Sequence, residues 1–596
     1  MRTTKLSKFI LSALLVGGLT FSVSSCKDYL ETEPVSLFGP DYIFSNVNSA
    51  QKQVLGVYAS LAGDNGYGIR LSMYYTLDDD LMMGQGATPF PDNERRDIAH
   101  YTVQPSNTQL ANPFNQLYQG IERANNSIYY IPKMDLYTNG TEAQKKELRR
   151  LHGEALTLRA QFYLELIRNW GDVPARFVPA SIEEEAFKAR TNRDEIYDKL
   201  LADLAEAATL VPWRSEIGVK DERITQGAVR ALRARIALYR GGYSLRTNRQ
   251  MERPANYQEF YKIAKDETKA IINRNDHRLN PSFEAVFKEN IAGRRIEPNG
   301  EVLWEVAMTG GSSAAGDSKL GYYNGPRLNG SVGNGALTIL PTYFYSFNQN
   351  DLRRDVTAAP YNISSAAIIQ PRTLQTMVDG KFRRDWIPGM LTSAAQYFGV
   401  NWPMIRYSDV LLMFAEAENE LSGPTAEAYE AVNQVRRRAF GKAITTPDVT
   451  VDLPAGLGKA DFFKAVVQER AWEFGGEGIR KYDLIRWNML GQRLSETKTA
   501  LAAMVAKEAP YQNLPGTMYF KNNSTKVEWV NSLYAPVPSP VPSGADISSV
   551  SWVGTGINTT ILTYYAVGFT PNKSELMPLH TSIIDANPLL KQEYGY

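Results

Sequence analysis

The sequence contains very little cysteine or histidine. Among its 596 residues there are one cysteine, Cys26, and four histidines, His100, His152, His277 and His580, which lie far apart along the chain. One cysteine cannot form a disulfide within the chain, and no His/Cys spacing typical of a zinc site is present. We therefore predict no metal site, no bound cofactor, and a core held together by packing alone.

An excess of charge of either sign is also missing. Lys plus Arg number 65 and Asp plus Glu 64, which leaves a formal charge of +1. Nucleic-acid binding needs a strongly positive surface, so a polynucleotide is not an expected partner. With 43% hydrophobic and 22% charged residues, the composition is that of a folded protein with a substantial core.

Long apolar runs are confined to the beginning of the chain. Three basic residues within the first eight precede an apolar run, 9–23, and two serines follow it. This order is typical of a secretion signal, here residues 1–25. No later segment has the roughly 18 consecutive apolar residues of a membrane span. The mature protein is therefore not expected to cross a bilayer.

Cys26 follows this signal directly, at the point where cleavage is expected. The arrangement resembles a bacterial lipoprotein signal, in which Cys26 becomes the lipidated first residue; the alternative is an incidental cysteine. Acyl chains contribute about 0.8 kcal/mol per methylene buried in lipid, so several chains would hold a soluble body at a membrane. We expect a protein that is anchored to a membrane and does not span it.

Helical periodicity dominates the rest of the chain. Between 141 and 169, apolar residues recur at steps of three and four, and Thr141 with Gln144 forms a capping box at the start. Similar stripes occupy 111–131, 192–210, 223–242, 256–273, 404–421, 425–440, 458–474 and 477–490. We predict a mostly α fold, in which a tetratricopeptide-like scaffold of helical hairpins covers about 45–273 and 402–490 of a single domain, 26–596.

Three segments interrupt this periodicity, at about 64–110, 274–400 and 510–580. The part 310–335 holds eight glycines, which favours a loop, and 301–307 (EVLWEVA) alternates like a short strand. Long irregular segments in compact proteins are often functional. We therefore predict that the helical scaffold carries insertions made of loops and short strands.

Six blocks of sequence carry a family resemblance. They are CKDYLETEP (26–34), LHGEALTLRAQFYLELIRNWGDVP (151–174), RITQGAVRALRARIALY (223–239), WPMIRYSDVLLMFAEAENEL (402–421), VVQERAWEFGGEGIRKYDLIRW (466–487) and NPLLKQEYGY (587–596). Together and in this order they resemble the SusD/RagB family of outer-membrane nutrient-binding lipoproteins of Bacteroidetes.

The resemblance implies a function as well as a fold. Members of the family bind oligosaccharides or other nutrients at the cell surface and pass them to a partner, a SusC-like TonB-dependent transporter. By this resemblance we expect a lipid-anchored outer-membrane protein without enzymatic activity. Its helical repeats would face the transporter and its insertions the ligand.

Two loops offer the groups that a sugar needs. Aromatic rings stack on the CH faces of sugars, and amide or guanidinium groups bind their hydroxyls. The loops 84–101 and 310–335 contain both kinds of side chain, although neither contains tryptophan, which leaves a smaller or more polar ligand open. The predicted ligand-binding residues are Phe90, Asn93, Arg95, Tyr101, Tyr322, Tyr323, Asn324 and Arg327. The alternative for any loop aromatic is local packing.

The acidic residues allow other interpretations. Glu416 with Glu418, or Glu473 with Glu477, could serve as the two carboxylates of a glycoside hydrolase, but arginines at helical spacings nearby favour ion pairs between helices. The run 78–80 could suggest calcium, but three consecutive acids lack the alternating spacing of a calcium loop. A surface-anchored hydrolase and a purely structural scaffold for the transporter remain as alternatives.

Overall fold

The computed structural model describes residues 39–86, 91–218, 222–311 and 313–596. The predicted signal, the predicted lipidation site Cys26 and the predicted ligand contact Phe90 lie outside the described residues. Within the described ranges, no helix combines the length and the apolar character that crossing a membrane requires.

Helices account for most of the regular structure. The long helices are α1 (Val47–Ala59), α2 (Ala111–Tyr130), α3 (Glu142–Trp170), α4 (Arg193–Leu210), α5 (Gln226–Gly241), α6 (Tyr257–Arg274), α7 (Tyr407–Ser422), α8 (Ala426–Ala439), α9 (Lys459–Phe474), α10 (Arg480–Arg486) and α11 (Leu490–Ala506). Shorter helices are Pro40–Ile43, Arg95–Ala99, Asp135–Asn139, Phe283–Ala285, Pro341–Phe344, Arg353–Thr357, Ile561–Tyr564 and Thr581–Ala586. The mostly α fold is confirmed.

Successive helices pack against one another in a continuous array. Helix α3 starts at the predicted capping box, where Thr141 accepts a hydrogen bond from the backbone of Gln144, and most of its side chains from Leu148 onward are buried. It packs between α2 and α4; α4 then packs on α5, α5 on α6, α6 on α7, and α7 on α8 and α9. One hydrophobic core runs through this array and reaches from Phe44 to Leu590.

Two predicted helices have different limits in the structure. Residues 402–406, part of which was predicted as helix, form a buried strand that pairs antiparallel with Val302–Val306, so α7 begins only at Tyr407. The predicted helix 477–490 is shorter in the structure, where α10 covers Arg480–Arg486 and is followed by Asn488 with a left-handed φ of 57°. Helix α11, which begins at Leu490, was not predicted. The strand predicted at 301–307 is confirmed by Val302–Val306.

The strands are short. They are β1 (Met82–Gly84), β2 (Ser244–Leu245), β3 (Met251–Glu252), β4 (Val302–Val306), β5 (Leu337–Ile339), β6 (Ala358–Ala359), β7 (Tyr361–Ile363), β8 (Ile369–Pro371), β9 (Val378–Asp379), β10 (Trp402–Arg406), β11 (Thr517–Lys521) and β12 (Ile547–Ser551). A four-stranded sheet has the order β1-β5-β9-β6, with Met82 opposite Ile339. Because β1 belongs to the first insertion and the other three strands to the second, this sheet joins the two insertions.

Buried ion pairs link the scaffold elements, as the charge spacing predicts. Glu473 on α9 lies 2.8 Å from Arg406 Nη1, 2.6 Å from Arg438 Nη2 and 3.1 Å from Arg353 Nη1. Burial by itself raises the pKa of Glu473, but these arginines outweigh it and hold that pKa well below its ordinary value. The carboxylate therefore stays charged and connects α9 with β10, α8 and the helix at 353–357.

Candidate ligand-binding site

The two predicted ligand loops meet at Arg95. Its guanidinium lies 5.6 Å from the ring centroid of Tyr74 and 5.5 Å from that of Tyr323. Its Nη2 donates to Gln85 Oε1 at 3.0 Å and to Asn334 Oδ1 at 3.3 Å. One side chain of the first loop thus contacts a ring and an amide of the second, so residues more than 200 positions apart form one surface.

Tyr322 and Tyr323 lie at the centre of this surface. Their rings meet edge to face with centroids 5.5 Å apart, and both side chains are half-buried. The turn that presents them is built at Gly321, whose φ of 83° favours glycine and whose N–H donates to Asn324 Oδ1 at 2.7 Å. The pair therefore combines a fixed backbone with ring surface that remains open to solvent.

Tyr397 extends the aromatic surface from a third part of the chain. Its hydroxyl donates to Asp64 Oδ2 at 3.0 Å, and Lys319 Nζ lies 3.2 Å from the same oxygen. Lys319 Nζ is also 4.7 Å from the ring centroid of Tyr397 and 5.9 Å from that of Tyr323. Burial by itself lowers the pKa of Lys319, but Tyr397 and Asp64 outweigh it and raise that pKa, so the amine stays charged.

We call Tyr322, Tyr323 and Tyr397, with the cations Arg95 and Lys319, the tyrosine surface. Half-buried rings next to fixed cations and carboxylates can stack on a sugar ring and bind its hydroxyls. Sequence reasoning missed Tyr397, Lys319 and Asp64. The sequence signals Tyr397 only as an aromatic residue within the irregular segment 274–400. Many other aromatic residues lie in the same segment, so this signal does not single it out.

Two of the predicted ligand residues are buried. Tyr101 is 7% exposed and its hydroxyl donates to the backbone carbonyl of Asp78. Asn324 is fully buried and donates to Asp379 Oδ2 at 2.9 Å. The polar groups of both side chains bind partners inside the protein. Tyr101 and Asn324 therefore support the loops from within and do not contribute to the tyrosine surface.

Asn93 and Arg327 lie toward the edges of the site. Asn93 is exposed, and its Oδ1 accepts a hydrogen bond from Ser106 Oγ at 3.3 Å. Arg327 is half-buried, and its Nη2 donates to the carbonyl of Asn334 at 2.6 Å. Asn334 thereby links Arg327 to Arg95, so the predicted arginines are part of one connected arrangement.

The paired glutamates of the hydrolase interpretation are enclosed by helices. Glu416 lies 2.7 Å from Arg486 Nη2, and Glu418 lies 2.7 Å from Lys265 Nζ. Glu477 accepts from Arg406 Nε at 2.7 Å. These residues and Glu473 are at most 5% exposed, so their carboxylates are buried away from a ligand on the tyrosine surface.

The acidic run 78–80 has three separate sets of partners. Asp78 binds His100 Nδ1 at 2.7 Å, Asp79 accepts from backbone N–H groups, and Asp80 forms an ion pair with Arg480 at 2.7 Å. Of the three acids, Asp80 is the one paired with an arginine. In the ranges that the structure describes, no three His, Cys, Asp or Glu side chains converge as metal ligands would.

Two family models match the chain. A model of the SusD family matches residues 380–596, and a second model, described as starch-binding and associating with the outer membrane, matches residues 45–238. A curated SusD-like protein of Formosa agariphila is 26% identical over 508 residues, which cover 79% of this chain and 89% of that protein.

Solved structures share the fold over nearly the whole chain. A SusD homologue from Bacteroides thetaiotaomicron superposes with a TM-score of 0.74 at 22% identity, over 93% of this chain and 98% of that one. The surface glycan-binding protein A of the same organism, in complex with laminarihexaose, superposes with a TM-score of 0.61 at 18% identity, over 92% and 99% of the two chains. With sequence identities of 22% and 18%, these structural similarities establish the fold of this chain.

Proposed function

The chain belongs to the SusD family, and from this premise we propose that it is a glycan-binding protein without enzymatic activity. In this proposal it is lipid-anchored through Cys26 at the outer-membrane surface, captures oligosaccharides and delivers them to a SusC-like TonB-dependent transporter. The description of the second family model as associating with the outer membrane supports the location.

The observation that carries the proposal is the tyrosine surface. Three half-buried rings from two separate segments lie together with charged and amide side chains, which is the combination that sugar binding requires. Similar folds that bind laminarin or laminarihexaose support a glycan as the ligand. The low pKa of Glu473 is unfavourable for the general acid of a hydrolase.

The test is the double variant Tyr322→Ala/Tyr323→Ala. Each ring contributes about 0.5–1.5 kcal/mol beyond its buried area, so we expect binding to weaken about tenfold or more. Affinity electrophoresis through gels containing one polysaccharide each, over a panel of neutral and acidic glycans, measures the effect.

The matched control is Tyr129→Ala/Tyr130→Ala. These adjacent, half-buried tyrosines at the end of α2 also meet edge to face, at 4.9 Å, but lie on the scaffold. The control should bind glycan like the wild type. Equal affinity of the Tyr322/Tyr323 variant and the wild type would contradict the proposal, no binding to any glycan would favour the pure scaffold, and release of reducing ends would favour the hydrolase.

A further inference from the structure

A small cavity lies next to the tyrosine surface. Its volume is about 180 Å³, and it is lined by Gly84, Gln85 and Gly86 at the end of β1, by Arg327 and Gly335, and by residues 372–378. Gln85 connects the two features, because its Oε1 also accepts the hydrogen bond from Arg95. Gln85 therefore places the cavity beside Arg95 of the tyrosine surface.

The cavity contains two guanidinium groups and no acid. Its lining includes Arg327 and Arg372 but neither Asp nor Glu, and in the described parts of the chain neither arginine has a carboxylate within 4.0 Å. Among the described residues, the buried Arg327 Nε has no hydrogen-bond partner, and the guanidinium of Arg372 donates only a long 3.3 Å bond from its Nη1 to Asn362 Oδ1.

The positive charge of the cavity is not balanced from within. Burial, together with the charge of Arg327, lowers the pKa of Arg372 from its ordinary value. Two like charges held in a partly buried site cost free energy unless an anion joins them. Such a site is therefore prepared for an anionic group.

The size of the cavity limits what enters it. Pockets for drug-sized ligands measure about 300–1,000 Å³, so about 180 Å³ admits one ring or one substituent. Neutral groups complete the lining, among them Gln375, Thr376 and the hydroxyl of Tyr564. These side chains can bind hydroxyls beside an anionic group.

We infer that this cavity binds the anionic substituent of an acidic sugar, a uronic-acid carboxylate or a sulfate ester, in a glycan that lies on the tyrosine surface. The planar guanidinium group matches the paired oxygens of both substituents. The inference rests on the proposed function and adds the class of glycan to it.

The double variant Arg327→Gln/Arg372→Gln tests the inference. The probes are polygalacturonate for the carboxylate, carrageenan for the sulfate ester, and the neutral laminarin and starch, each in affinity electrophoresis and in calorimetric titration of oligosaccharides derived from it. Since a hydrogen bond to a charged group contributes more than a neutral one, we expect the double variant to bind the acidic probe about tenfold to hundredfold more weakly. The neutral probes should lose much less affinity, because they meet Arg327 only at the edge of the tyrosine surface.

The matched control is Arg149→Gln/Arg295→Gln, which also removes two positive charges but at exposed positions away from the cavity lining. This control should keep the acidic affinity of the wild type, and thermal unfolding checks that both variants are folded. The acidic affinity of the wild type should also fall as the salt concentration rises.

The outcomes separate the inference from the proposed function. Loss of acidic binding in the Arg327/Arg372 variant alone supports the inference, and which acidic probe binds identifies the substituent. Binding of neutral probes only, or acidic binding that the variant retains, overturns the inference and leaves the proposed function standing. Absence of binding to every probe overturns both.

Discussion

Arginines of the helical scaffold and those beside the tyrosine surface have opposite surroundings. In the scaffold, Arg406 contacts Glu301, Glu473 and Glu477, and Arg470 contacts two aspartates, all within 2.8 Å. In the insertions, Arg95 and Arg327 have no carboxylate within 4.0 Å in the described ranges; they contact rings, amides and a cavity.

The difference shows how one residue type serves two purposes. The buried guanidinium of Arg406 is stabilised by its carboxylates, because an unpaired charge in the interior costs several kcal/mol. A half-buried guanidinium beside a cavity keeps some contact with water and remains able to bind a ligand. The paired Arg406 and Arg470 therefore hold elements of the scaffold together, whereas the unpaired Arg95 and Arg327 belong to the proposed binding site.

The largest expected effect comes from breaking a scaffold pair. Glu473→Gln removes the charge that three buried arginines share, and removal of one partner from a buried network costs about 3–5 kcal/mol. We expect the free energy of unfolding, measured by urea denaturation, to fall by this amount. The folded fraction should bind glycan like the wild type.

An exposed ion pair provides the control. Asp461 and Lys464 lie 2.9 Å apart with 61% and 73% of their side chains exposed, so Asp461→Asn should cost less than about 1 kcal/mol. A similar loss of stability in both variants would contradict the structural role assigned to Glu473.

The scaffold pairs also predict a dependence on pH. Burial by itself raises the pKa of Asp409, but Arg470 and Arg235 outweigh it and lower that pKa to about 2. An unfolded aspartate has a pKa of about 3.9, so the folded protein binds fewer protons between these values. The stability from this carboxylate is present above about pH 4 and is lost as the pH falls toward 2.

Comparison of the wild type with Asp409→Asn checks this dependence. In urea denaturation the wild type should be more stable at pH 5, and the difference should shrink by roughly 2 to 3 kcal/mol as the pH falls toward 2, because the aspartate becomes neutral. A difference that stays constant over this range would show that Asp409 is not held by its arginines.

The smallest expected effect concerns the edge of the tyrosine surface. Tyr397→Phe keeps the ring but removes the hydrogen bond to Asp64, so the ring loses one constraint on its position. We expect glycan affinity to fall about twofold to tenfold, because the lost bond acts on the ligand only through the position of the ring, which keeps its stacking face. Calorimetric titration measures the affinity.

The companion variant Tyr397→Ala removes the ring as well and should bind more weakly than Tyr397→Phe. Thermal unfolding of both variants should remain close to that of the wild type, because the side chain is only half-buried. Equal affinities of the wild type, Tyr397→Phe and Tyr397→Ala would remove Tyr397 from the site.

Local sequence determined the helices and the chemistry of the scaffold. The capping box at Thr141, the apolar stripe of α3 and the alternating charges of α9 depend on residues three or four positions apart, so they are readable in one dimension. The same reasoning placed a strand at 301–307, but part of its partner β10, from residue 404 onward, was predicted as helix because pairing across about 100 residues leaves no local signal.

Only the tertiary structure decided which loop residues come together in the candidate site. Tyr101 and Asn324 have the residue types of ligand contacts, yet they are buried, whereas Tyr397 reaches the surface through Asp64, 333 positions away. Arg372 likewise lines one cavity with Arg327, from a separate segment of the chain. The type of a residue determines which interactions its side chain can make. Whether that side chain is exposed, and which residues surround it, depends on contacts between distant segments that no local sequence pattern records.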